Sequence, residues 1–426
     1  MSRFQMKCKQ NISFWGIMLA IPFMIFGCRK AYNPPAINQF SNLLVVEGNI
    51  ESGADSTIIK VSRTVKLSNQ KALNPEQNAQ VTVESDQNTS YQLTEIKPGT
   101  YATAGLNLDK TQQYHLSIRT SAGKKYVSDL MPVLDSPPID SVSWDLNGSP
   151  LYGTGVNVYV STHDASNKVR YFRWDYVETW EFDSYKESNY KSNGDTVLPR
   201  DMVNDEIYHC WKSDSSSATL LASNARLSQS VIINNPLTFI HSTDEKVSVE
   251  YSILVKQHAL TPAAYSFYTT LKKNTEQIGS IFDAQPSELQ GNIHAVDDPS
   301  EPVLGYISIG GVATTRIFID SHKLPVGNPA WRPITYYTLN PARVVGRDPA
   351  TPQKPCCLFV TYDVYGHVVN QVNQYINYNF DPYGAQLIPV DAITDQSGLL
   401  LGFTAGSPEC IDYTLRGTNK KPAFWR

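Results

Sequence analysis

Past residue 26 the chain has no long hydrophobic run. Nothing there approaches the roughly 18–20 consecutive apolar residues that a membrane-crossing helix needs. Clustered positive charge is missing as well. Lys and Arg number 36 against 40 Asp and Glu, a net charge of −4. Without Met1–Gly27, which carries Arg3, Lys7 and Lys9, the balance is 33 against 40, or −7. A nucleic-acid backbone is matched by clustered Lys and Arg, so nucleic acid is excluded as a partner. Catalytic signatures are absent: there is no H-E-x-x-H, no G-x-S-x-G, no glycine-rich phosphate loop and no Ca²⁺ loop. The eight His are scattered and never spaced as His-x-His. No enzyme class, cofactor or metal follows from such a sequence.

What the chain does contain is apolar and aromatic material. Hydrophobic residues make up 41% and charged residues 18%, enough to build real cores. Tyr (24), Phe (15) and Trp (7) favour half-buried pleated surfaces and lean the reading towards β-structure. At ~150 residues per domain, 426 residues suggest two or three domains.

Met1–Cys28 has the grammar of an export signal. Three basic residues precede Ile12–Phe26, a stretch without charge, and Gly27-Cys28 follows. A small residue before a cysteine after an apolar pair resembles the bacterial lipobox. Residues 1–27 are expected to be removed and Cys28 to be diacylated. Each acyl CH₂ buries ~0.8 kcal/mol, and two or more chains give a stable anchor. Outer-membrane lipid is therefore the first expected partner. No Asp follows Cys28, which favours the outer membrane. Arg29-Lys30-Ala31 also lacks an acidic surface-export signal, so the motif sets the anchor and not the face. Residues 28–41, with Pro34-Pro35, read as a tether.

Residues 42–134 alternate with a period of two in several short runs: Ile59/Val61/Val65, Ala79/Val81/Val83 and Tyr114/Leu116/Ile118. Pro98-Gly99 and Ala122-Gly123 supply turns. The pattern predicts an immunoglobulin-like or transthyretin-like β-sandwich. Pro137-Pro138 marks the boundary, because consecutive prolines cannot donate ladder hydrogen bonds. Residues 138–426 then read as a larger β-rich domain. Val156/Val158/Val160 and Phe172/Trp174/Tyr176 alternate. Val247–Val255 gives five inward positions, and strands are also expected at Val303–Ile309, Arg316–Ile319 and Leu358–Tyr362. One amphipathic helix is predicted over residues 261–277, with Thr261 as N-cap, Pro262 at N1 and a stripe of Ala264, Tyr265, Tyr268 and Leu271. Residues 183–206 read as a long exposed loop, and the Phe424-Trp425 tail as docked.

Candidate site residues are few. Trp174, Tyr176 and Trp180 share one strand face and could stack a sugar or peptide, although a sandwich core wants the same pattern. Glu178, Glu181 and Asp183 could be offered as glycosidase carboxylates. Alternation puts Glu178 beside the tryptophans, where burial and pairing are expected. His209 and His258 read as structural. Cys210, Cys356, Cys357 and Cys410 remain for disulfides in an oxidising compartment. Vicinal Cys356-Cys357 is a strained pair, so one of them is expected to bond Cys410. The closed loop of about 53 residues would contribute roughly 4 kcal/mol in the chain-entropy treatment. No C-x₂-C spacing supports zinc among these cysteines.

Several stretches carry a resemblance. They are "LLVVEGNI" (Leu43–Ile50), "PPIDSVSW" (Pro137–Trp144), "RWDYVETWEF" (Arg173–Phe182), the long block Tyr251–Ile293 and the ending "KPAFW". Together they resemble the Bacteroidota domain-of-unknown-function 4249 family, predicted outer-membrane lipoproteins often encoded beside TonB-dependent receptors. The resemblance implies a TonB-dependent receptor as partner and supplies no catalytic residues. Family members often carry a second cysteine near the tail; here that place is taken by Tyr413. The reading is a non-enzymatic outer-membrane accessory lipoprotein, with a stand-alone surface glycan- or peptide-binding or adhesion protein as the alternative.

Overall fold

The computed structural model describes residues 42–65, 74–146, 153–276, 289–325, 331, 361–362, 368–369 and 387–426. Across them the chain is mainly β, as its alternation predicts.

The first body is a ten-stranded sheet curled around an aliphatic core. Ser90–Lys97 makes the curl. Its first half pairs with Gln80–Ser85 and its second half with Thr100–Thr103. Ile59, Val61, Val81, Val83, Tyr114, Leu116 and Ile118 all point into the core, where alternation places them. Each such side chain contributes about 1.5–3 kcal/mol of transfer free energy. Val65 is exposed and falls outside its strand, Thr57–Arg63.

Both ends of this sheet are closed by distant sequence. Ile293–Ala295 pairs antiparallel with Lys125–Ser128, and Ser308–Ile309 pairs parallel with Leu44–Ile50. Ile293, Ala295, Val303, Ile307 and Ile309 join the first core. The sequence reading keeps everything after Pro138 in the second region, but the chain comes back. It does so through short strands that show no period. Gly305 permits the return. Its φ is +136°, and a Cβ there would lie 2.0 Å from the Val46 carbonyl oxygen. Leu304 on one side of it exchanges backbone hydrogen bonds with the Leu44–Ile50 strand, at 2.8 and 2.9 Å.

The second body packs two sheets on one core. Ile139–Asp145, Gly155–Asp164 and Ser230–His241 form the smaller sheet. The larger is built on Tyr171–Asp183, flanked by His209–Ser215, Leu220–Ser223, Glu250–Leu260 and Ala313–Asp320. Val156, Val158 and Val160 from one sheet meet Trp174, Ile253 and Val255 from the other. The strand expected from Val247 begins at Glu250. Asp244 caps a short 3₁₀ turn at Glu245–Val247 by accepting from the Lys246 amide, and the strand starts after it.

The helix runs Pro262–Glu276, and the Thr261 hydroxyl accepts from the Ala264 amide at 3.1 Å. Its buried positions are Ala264 and Phe267. Phe267 replaces Tyr265 in the expected stripe because the packed face follows i, i+3, i+4. Tyr265 instead meets Tyr171 at 5.0 Å, and Phe267 meets Tyr306 at 5.5 Å. Tyr306 belongs to the returning segment, so the helix touches both bodies.

Residues 183–206 are not one open loop. They hold a hairpin, Tyr190–Ser192 with Val197–Pro199. Ser188 Oγ donates to the Pro389 carbonyl at 2.7 Å, and Tyr190 packs edge-on against Phe403 at 4.9 Å. A second hairpin, Ile388–Thr394 with Leu400–Gly406, thus covers it. The two hairpins are distant in sequence, so local composition cannot show their pairing. Of the strand expected at Leu358–Tyr362, only Thr361–Tyr362 lies among the described residues.

Candidate functional site

The aromatic platform is a core. Trp174 is 1% exposed and Trp180 5%, so neither presents a face to a ligand. Tyr176 is half-buried against the same core. Trp174 Nε1 donates to Gln257 Oε1 at 2.9 Å, and Gln257 Nε2 donates to the Pro137 carbonyl at 2.8 Å and to Thr162 Oγ1 at 3.1 Å. This buried amide joins the larger sheet to the smaller one and to the Pro137-Pro138 boundary. Burial wins because two facing sheets need large side chains at alternate positions.

Glu178 lies in the same core and is paired. It accepts from Tyr251 OH at 2.6 Å and from Lys246 Nζ at 2.5 Å. Burial pushes the Tyr251 phenol well above its ordinary value. Burial also opposes the Lys246 charge, but the Glu178 hydrogen bond and the negative charges of Glu178, Asp244 and Asp214 together outweigh it and leave Lys246 raised. Lys246 sits 5.2 Å from the Trp180 ring. Glu181 and Asp183 belong to the opposite face of the strand, so no glycosidase pair forms between Glu178 and Glu181.

That opposite face is covered from two sides. The helix covers one end, where Arg173 lies over Tyr268 at 4.6 Å and His258 Nε2 meets Asp175 Oδ2 at 2.7 Å. Burial lowers the His258 imidazole, which fits a structural role. The C-terminal tail covers the other end, as expected for Phe424-Trp425. Trp425 is buried, meets Phe318 at 5.4 Å and donates from Nε1 to Glu181 Oε2 at 3.2 Å. Arg426 pairs with Glu250 at 2.8 Å.

Under the tail, strand register gathers three groups. Asp183 pairs opposite His209, and Glu181 precedes Asp183 by two on the same face. His209 Nδ1 lies 2.8 Å from Asp183 Oδ1 and 3.6 Å from Glu181 Oε1, while Nε2 lies 3.6 Å from Glu206 Oε1. One donor atom from each of Glu181, Asp183 and His209 falls within 4.8 Å of the other two. The Asp183 hydrogen bond raises the His209 imidazole above its ordinary value, and burial raises the Glu181 carboxyl. Sequence reading names all three residues but cannot join them, because a long connection separates the two strands and leaves their register open. Alternation of Glu181 and Asp183 onto one face was the available signal.

A separate polar cleft of about 850 Å³ opens at the start of the first body, lined by Asn42, Arg63, Glu76, Lys124 and Glu301. Both of its basic side chains are paired, Arg63 with Glu76 at 2.5 Å and Lys124 with Glu301 at 2.6 Å.

Cys210 is a free, buried thiol, which removes it from the disulfide candidates. It packs in the second core, and burial pushes its thiol up to about 12, which disfavours the thiolate. Cys410 is disulfide-bonded. Cys28, Cys356 and Cys357 also lie outside the described residues.

No curated protein matches the chain. A solved structure titled "Biofilm associated protein - BSP domain" is 5% identical, with a TM-score of 0.11, over 68% of this chain and 62% of that one. The chain thus spans less than two thirds of that structure, and a likeness so slight carries no argument. The family described as "Domain of unknown function (DUF4249)" matches residues 29–316, about two thirds of the chain, including the first body, the returning segment and the helix. The chain belongs to the DUF4249 family.

Proposed function

We propose that this chain is a lipid-anchored, non-enzymatic accessory protein of a TonB-dependent outer-membrane transport system. The observation that carries the anchor is the order of features at the start. Three basic residues, an uncharged stretch and Gly27-Cys28 come shortly before Asn42, where the described body begins. Among the described residues no helix is long and apolar enough to cross a membrane. A body held by acyl chains fits that arrangement. The non-enzymatic reading rests on how the candidate carboxylates are used: Glu178 is locked to Lys246 and Tyr251 inside a core. The receptor partner rests on the family resemblance.

The alternative of a stand-alone glycan or peptide binder loses its proposed platform to the core. Affinity capture of the tagged chain from detergent-solubilised outer membranes tests the leading reading. Co-purification of a TonB-dependent receptor is the expected result, and its absence counts against the partner. Labelling with an alkyne fatty acid tests the anchor separately. Cys28→Ala is expected to abolish label and membrane retention.

A further inference from the structure

We propose that Glu181, Asp183 and His209 form a binding site for a divalent transition cation, with zinc the best match. The site goes beyond the accessory role and does not depend on it. Three donor atoms converge within 4.8 Å from two adjacent strands of one sheet. Zinc holds imidazole nitrogen and carboxylate oxygen at about 2.0–2.2 Å, which puts ligand atoms roughly 3–4 Å apart, so modest side-chain closure completes the set. The donor types select the ion. One imidazole with two carboxylates suits zinc or manganese, whereas copper(I) wants thiolates and calcium wants oxygen alone.

The surroundings match what such an ion needs. His209 has Glu206 Oε1 3.6 Å from Nε2, on the far side of the ring from Asp183 and Glu181. A carboxylate there is near enough to close into a hydrogen bond with Nε2, which would leave Nδ1 to face the ion. Glu181 spends its other oxygen on the Trp425 indole at 3.2 Å, which holds that carboxylate in place. Three carboxylates surround a single imidazole, and a bound dication balances them. A second observation comes from the residue paired with Glu181. Trp211 sits directly opposite Glu181 in the strand register, on the same sheet face. It is 7% exposed, and its indole N–H has no hydrogen-bond partner among the described residues. A buried donor left unmatched is uncommon. Three protein ligands leave zinc an open position for water, and on this proposal that water would accept from the indole.

The test uses the full chain purified in detergent, stripped with a chelator and titrated with zinc chloride by calorimetry. Saturation near one cation per chain is expected. X-ray absorption at the zinc edge should show a nitrogen and oxygen shell near about 2.0–2.1 Å, without sulfur at about 2.3 Å. Asp183→Asn and His209→Gln should each weaken binding about tenfold or more, since even the loss of a supporting group around a metal costs that much. Absence of saturable zinc binding overturns the proposal. So does a sulfur shell, which would place the ion on cysteines, or unchanged affinity in the folded double variant. If the double variant does not fold, the absorption spectrum of the unaltered chain decides by itself.

Discussion

The two β bodies bury different chemistry. The first core is mostly Val, Leu and Ile, with tyrosines whose hydroxyls leave it at the rim: Tyr101 OH donates to the Glu76 carbonyl at 2.7 Å and Tyr126 OH to Glu301 at 2.7 Å. The second core holds Trp174, Trp180 and Trp331, and among them the Glu178–Lys246–Tyr251 cluster and Gln257. An aliphatic core depends on volume and on a backbone that can close around it. A core with buried polar groups depends on every partner being present, because an unpaired buried group costs more than its bond contributes. The first body should therefore break at its closure and the second at its pairs.

The largest effect is expected at the closure. Gly305→Ala forces a Cβ onto the Val46 carbonyl oxygen at a φ that L-residues avoid, and should cost about 4 kcal/mol. Calorimetry should show the first body's transition falling while the second's stays. A uniform drop would mean that the bodies melt as one unit. Next is Glu178→Ala, which leaves the Lys246 ammonium and the Tyr251 hydroxyl unpaired and should cost about 3 kcal/mol in urea unfolding. Glu178→Leu combined with Lys246→Met should recover most of that loss, because apolar groups of similar volume replace both charges. Strict additivity of the two single changes would sink the distinction between the cores. Ile118→Val, in the fully buried centre of the first core, should cost only about 1 kcal/mol, and no second-site change should rescue it.

The smallest effect lies at the junction. Glu51 is buried beside the returning segment, where Oε1 accepts from the Val312 amide at 3.3 Å, and burial raises its carboxyl above the ordinary value. A raised acid contributes stability below its unfolded pKa, near 4.5, and loses it as pH rises through the folded value. Glu51→Gln should thus gain about 0.5 kcal/mol at pH 7, a gain that fades below about pH 4. Thermal melts at both pH values check the sign, and a gain confined to acid would reverse it.

Local structure was legible where it was local. Thr261-Pro262 announced its helix because the cap and the proline act within one turn. Val156, Val158 and Val160 announced their strand because alternation has a fixed period. Ile293–Ala295 and Ser308–Ile309 gave no such signal, since strands that short carry no period. The tryptophans of Tyr171–Asp183 were visible as one face, and the facing sheet explains why that face is buried rather than a platform. Cys210 could not be separated from its fellow cysteines, because composition counts thiols but does not place them.

By itself, then, the sequence determined the β character of both bodies, the helix after Thr261-Pro262 and the docked aromatic tail. Each depends on neighbours along the chain. Only the tertiary structure decided that residues 293–309 close the first sheet, that Glu178 finds Lys246 and Tyr251, and that Glu181, Asp183 and His209 meet beneath Trp425. Those are matters of strand register between distant segments, and register is selected by the whole buried face at once rather than by any one stretch of it.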